Sequence, residues 1–109
     1  MLEPKKDIYT ILSKVGTAYQ SRPQLIKEVP CIYFYVSNNV PVYVLEKKIG
    51  YQNVEVVVDI LGNTSAESGS LLTSLVSEML DNGYRLTFCA DIPDDNYSHI
   101  TTRFNLVGY

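Results

Sequence analysis

The chain has 109 residues, 46% hydrophobic and 19% charged, with nine Lys or Arg against twelve Asp or Glu. That is one domain's length (1–109) with apolar material enough for a core, which excludes a disordered polyelectrolyte and a two-core protein. The only adjacent basic pairs are Lys5-Lys6 and Lys47-Lys48, so the basic stripe of a generic nucleic-acid binder is missing, and Cys31 and Cys89 are too few for a disulfide framework.

In chain order, a first helix is predicted from Pro4 to Val15: Pro4 suits a first-turn position, and Ile8, Ile11, Leu12 and Val15 recur at helical spacing. Gly16 is its stop. Thr17 to Pro30 holds two prolines and shows no period, so it reads as a loop with a short turn at Gln24 to Lys27. Cys31 to Ser37 and Val40 to Leu45 read as strands joined by a turn at Asn38-Asn39, and Glu46-Lys47-Lys48 as a solvated tip. A long strand follows from Tyr51 to Leu61. Val54, Val56, Val58 and Ile60 share one of its faces, and Glu55, Val57, Asp59 and Leu61 the other.

Thr64-Ser65-Ala66-Glu67 has the spacing of a capping box, which predicts Thr64 oxygen accepting from the Glu67 amide and Glu67 reaching back to the Thr64 amide. The helix it opens carries an apolar stripe of Leu72, Leu75, Val76 and Met79, flanked by Leu71 and Leu80, and ends at Asp81-Asn82-Gly83. Two more strands close the chain. Tyr84, Leu86, Phe88, Ala90 and Ile92 alternate with polar partners in one, Ile100, Thr102, Phe104 and Leu106 in the other, with a turn at Pro93 to Asn96.

The implied fold class is α+β: a mostly antiparallel sheet of about four to five strands with two helices packed on one face. The opposite face is mixed. Tyr33, Tyr35 and Tyr43 in the first hairpin, Val57, Asp59 and Leu61 in the long strand, and Arg85 and Arg103 in the last two make it half-apolar. Nine tyrosines and no tryptophan suit such half-wet surfaces, although tyrosine is also common in ordinary sheets. These eight residues are the candidate subunit interface; long side chains lying over the sheet are the alternative cover. Asp59 is expected to pair with Arg85 or Arg103.

Catalytic patterns are thin. His99 is the single histidine, and a pair with Cys31 or Cys89 is the one nucleophilic arrangement on offer; neither cysteine sits at a helix start that would activate it. One histidine and two separated cysteines fall short of a zinc set. Asp91 to Asn96 gathers three carboxylates in a turn without the glycine and terminal glutamate of a calcium loop. No cofactor is implied, no apolar run approaches a membrane span, and no leader pattern is seen, so synthesis in a cytoplasm is expected.

The segment Val56-Val57-Val58-Asp59-Ile60-Leu61-Gly62-Asn63-Thr64-Ser65-Ala66-Glu67 resembles the strand-into-helix signature of tail-terminator, or tail-completion, proteins of long-tailed bacteriophages. The Val29-Pro30-Cys31-Ile32-Tyr33 step and the closing Arg103-Phe104 to Tyr109 strand extend the resemblance over roughly residues 5 to 109. Leu61 stands where that family usually has an aromatic residue.

The resemblance implies a virion structural protein, not an enzyme. Its copies would form a ring, often hexameric, at the head-proximal end of the tail tube, with the tail-tube protein and a head-completion protein as partners. DNA would pass through the lumen without sequence readout. A head-completion or neck connector protein, a small cellular ligand-binding module and a small Cys–His enzyme are the alternative readings.

Overall fold

The computed structural model describes residues 4–20, 29–43 and 50–108. Its elements are α1 (Pro4–Ser13), β1 (Ala18–Gln20), β2 (Cys31–Tyr43), β3 (Gly50–Gly62), α2 (Ser65–Asp81), β4 (Arg85–Ile92) and β5 (Ser98–Gly108). The strands form one sheet in the order β1-β2-β3-β5-β4. Every pairing is antiparallel except β1 with β2, so the α+β sheet is mixed.

The 3.6-residue period of α1 turns Ile8, Ile11 and Leu12 onto the sheet, where they are buried. The helix ends as the Gly16 amide bonds the Leu12 carbonyl at 3.1 Å. In α2 the stripe delivers Leu75 and Met79 to the core, with Leu71, Leu72 and Val76 packed against it. Leu80 faces water at 51% exposure. Both helices share one core cluster with Ile32, Phe34, Val54, Val56, Val58, Ile60, Ile100 and Phe104, so they cover the same sheet face. Thr102 is fully buried there and donates its hydroxyl to the Val58 carbonyl at 2.8 Å, which satisfies it.

The start of α2 follows its cap with one change. Thr64 Oγ1 accepts from the Glu67 amide at 3.2 Å, as its spacing predicts. Glu67 Oε1 instead takes the backbone amide of Asn63 at 2.9 Å and its side-chain amide at 3.2 Å. Ser68, one turn in, is buried and shares a 2.7 Å hydroxyl contact with Ser98, tying α2 to β5. At the other end Gly83 takes φ +88°, the left-handed conformation that glycine adopts without strain.

Three expectations are corrected. Ala18–Gln20, read as loop, is a strand parallel to Ile32–Phe34; three residues are too few to show a period. Asn38-Asn39 does not turn: β2 runs through to Tyr43, and Ser37 is an extra residue between Val36 and Asn38 that the ladder absorbs as a bulge. Its hydroxyl donates to the Glu55 carbonyl and reaches Glu55 Oε1 at 2.9 Å. In β4 a second bulge at Thr87 breaks the alternation, because Leu86 pairs with Phe104 but Phe88 pairs with Arg103. The predicted turn at Gln24 to Lys27, Leu45 and the Glu46-Lys47-Lys48 tip lie outside the described residues.

Candidate functional site

The face of the sheet away from the helices is built by the strand period. β2 contributes Cys31, Tyr33 and Tyr35, and β3 contributes Leu61, Asp59, Val57 and Glu55. β5 adds His99, Thr101, Arg103 and Asn105. The bulge at Thr87 reverses β4 beyond it, so Phe88, Ala90 and Ile92, expected on Leu86's side, lie on this face instead. Thr87 closes the bulge by donating its hydroxyl to the Arg103 carbonyl at 3.2 Å.

The face has two unlike regions. Around Cys31 it is filled from within the chain: Cys31, Tyr33 and Leu61 form a second buried cluster with Tyr19 and Tyr97 against it. Val57 and Asp59 are buried as well. Thus four of the eight candidate interface residues, Tyr33, Val57, Asp59 and Leu61, present little side chain to a partner. Tyr35, at 49% exposure, Arg85 and Arg103 are open to solvent. The side chain of Tyr43 lies outside the described residues.

Along β4 the face is open and apolar. Phe88 is 45% and Ile92 37% exposed. The Arg103 guanidinium lies 5.2 Å from the centre of the Phe88 ring, a cation–π contact that holds the arginine over the strand. Sequence reasoning missed Phe88 and Ile92 because a bulge leaves no mark in an alternating pattern.

Asp59 meets neither arginine. The register sets it opposite Tyr33 on one side and Thr101 on the other, while Arg103 lies opposite Val57. Its Oδ2 is 3.7 Å from His99 Nε2, and its Oδ1 is buried with no hydrogen-bond partner among the described residues. The same His99 nitrogen is 3.2 Å from the Tyr33 hydroxyl, and Nδ1 is 3.9 Å from Asp94 Oδ2. Asp94 is otherwise engaged in its own turn, with Oδ1 accepting from the amides of Asn96 and Tyr97.

Neither cysteine pairing is assembled. Leu61 lies between Cys31 and His99 in the sheet, and Cys89 pairs with Thr102 on the face opposite His99. Among the described residues no group of three or more His, Cys, Asp or Glu is placed to hold a metal ion. On the helix side, an open groove of about 320 Å³ between α1 and the end of α2 is lined by Lys6, Asp7 and Tyr84 among others. Burial, with the Asp7 carboxylate adding to it, pushes the Tyr84 phenol from 10.0 up to about 12.

No family model matches the chain. No curated protein matches it either. Its fold is shared by a chain in the solved virion of a native gene transfer agent (GTA) particle, with a TM-score of 0.59 at 10% identity, covering 93% of this chain and 90% of that one.

Proposed function

We propose that the chain is a structural component of a phage-like virion, not an enzyme, and that it serves as the tail terminator. In this reading copies of it form a ring, hexameric in the family it resembles, on the head-proximal end of the tail tube. The ring stops tube growth and offers a docking surface to a head-completion protein, and DNA passes through it unread. The observation that carries the reading is the whole-chain likeness in fold to a chain of the gene transfer agent virion. The resemblance of the 56–67 segment supports the terminator in particular, and the open apolar margin along β4 is consistent with the self-associating surface a ring requires.

Within that surface Tyr35, Arg85 and Arg103, joined by Phe88 and Ile92, make the contacts. Tyr33, Val57, Asp59 and Leu61 support them from beneath. Gold-labelled antibody against the chain, applied to purified particles and to tails lacking heads, tests the assignment. Label at the head-proximal tip of free tails is the expected result. Label confined to tail-less heads would transfer the chain to the neck connector, and unlabelled particles of both kinds would remove it from the virion.

A further inference from the structure

Among the described residues the sheet ends in two open edges that differ. One is β4, whose residues are exposed along its whole length but for half-buried Ala90. Between Arg85 and Ile92 it has neither lysine nor proline, two residues that commonly protect a free edge, and beyond its bulge at Thr87 the stretch from Phe88 to Ile92 is regular enough to accept a strand. The other edge is β2 beyond Phe34. β1 covers only Ile32, Tyr33 and Phe34, and among the described residues no strand pairs with that side of β2 from Tyr35 onward.

The strand directions make these edges complementary. β2, β3, β5 and β4 alternate in direction across the sheet, so β4 runs opposite to β2. Two copies held in the same orientation therefore bring β4 of one antiparallel to β2 of the next, with the helix layers on the same side. Where β1 stops there is a notch of about 120 Å³ lined by Lys5, Gln20, Phe34, Tyr35 and Val36. It lies beside the first turn of α1 and carries the ammonium of Lys5.

We propose that these two edges join copies of the chain head to tail. β4 of one copy adds to Tyr35–Val40 of the next, with Ile92 beside Tyr35. This builds on the ring reading above and says how neighbouring subunits are held. The placement has three consequences in its favour. Ile92 and Tyr35, both on the face away from the helices and both partly exposed, cover one another. Asp91, on the helix face, comes beside Val36 at the notch, so its carboxylate meets Lys5. The joint ends short of Pro41, which has no N–H to give.

The joint also carries a stagger. Within one chain Ile92, His99, Leu61 and Cys31 form a single row across the sheet. Seating Ile92 at Tyr35 instead of at the level of Cys31 moves each copy along the strand direction, and such a shear is what lets a sheet close on itself.

The test is a cysteine pair, Tyr35→Cys with Ile92→Cys, in a Cys89→Ser background. Within one folded chain the two positions are three strand spacings apart, ~14 Å, and offset by a further ~13 Å along the strands, beyond the ~7 Å reach of a disulfide. Oxidation should therefore give a ladder of covalent multimers, while either single cysteine gives at most dimers. Adding Asp91→Lys should cut the ladder several-fold, as should Lys5→Asp, and the two together should restore it. A folded double-cysteine protein that stays monomeric on oxidation overturns the joint. One that stops at dimers overturns it in favour of a two-fold β4–β4 contact, and a ladder indifferent to Asp91→Lys overturns the register. Tails labelled at the tip with no ladder would sink the joint and leave the terminator reading standing. A ladder with unlabelled particles would do the reverse.

Discussion

Tyr33 and His99, separated by 66 residues in sequence, meet under the sheet's second face with hydroxyl and Nε2 3.2 Å apart. The contact spans β2 and β5 across β3, above Leu61 and beside Asp59. It closes a region that strand alternation alone leaves half-polar and open.

The imidazole is the charged or polar neighbour that Asp59 relies on. His99→Ala is expected to destabilise the fold by about 2–3 kcal/mol, since it removes that neighbour from a buried carboxylate and leaves a void. Asp59→Asn keeps the shape and removes the charge, so it should cost under about 1 kcal/mol. Urea unfolding of both variants checks this. Equal losses would mean that the carboxylate charge, not the imidazole packing, holds the cluster.

The helix layer gives a sharper contrast. Leu75 is fully buried and Leu80, five positions on, is mostly exposed. Leu75→Ala should cost roughly 2–5 kcal/mol, and Leu80→Ala should stay within about 0.5 kcal/mol. Matching midpoints in a urea titration of the two variants would contradict the orientation of α2.

Gly62 and Gly69 should respond in opposite directions to alanine. A Cβ on Gly62 would stand 2.9 Å from the Ser68 amide nitrogen and 3.1 Å from its Cβ, where strand and helix meet. Gly62→Ala is expected to lose about 1–3 kcal/mol by overpacking. Gly69 lies within α2 with nothing within 4 Å of such a Cβ. Gly69→Ala should gain up to about 1 kcal/mol from helix propensity. Thermal melts of the pair give both signs in one comparison.

Tyr84 makes stability depend on alkaline pH. Its phenol is raised in the fold to about 12 from 10.0. Below the lower value it is neutral in both states and adds no pH dependence. Between the two values the unfolded chain ionises first, so stability falls as pH rises. Tyr84→Phe should flatten that part of the fall, measured as the change in urea midpoint between pH 9 and pH 11.5. The other tyrosines contribute alike to both proteins, so an unchanged slope would count against a buried, protonated Tyr84.

Much of this arrangement is legible in the residues. The helices follow from the spacing of Ile8, Ile11 and Leu12 and of Leu75 and Met79, and the end of α2 from Gly83. The helix-side face of β3 follows from Val54, Val56, Val58 and Ile60. Local chemistry determines each of these. What escaped depends on partners distant in sequence. Ser37 and Thr87 each insert one residue into a ladder, and a bulge exists only relative to the strand opposite. The partner of Asp59 required knowing that β5 lies beside β3 in a register that sets His99 near it. Of the candidate interface, Tyr35, Arg85 and Arg103 are exposed, whereas Tyr33 and Leu61 are buried in a cluster with Cys31, against which Tyr19 and Tyr97 pack from segments distant in sequence.

Thr87 decides which layer owns the aromatic and aliphatic groups of the last edge. Were it paired squarely with Arg103 instead of bulging out, Phe88 and Ile92 would turn beneath the helices, and the outward side of β4 would hold Cys89 and Asp91 instead. One unpaired residue thus gives the last edge a greasy outward side in place of a more polar one.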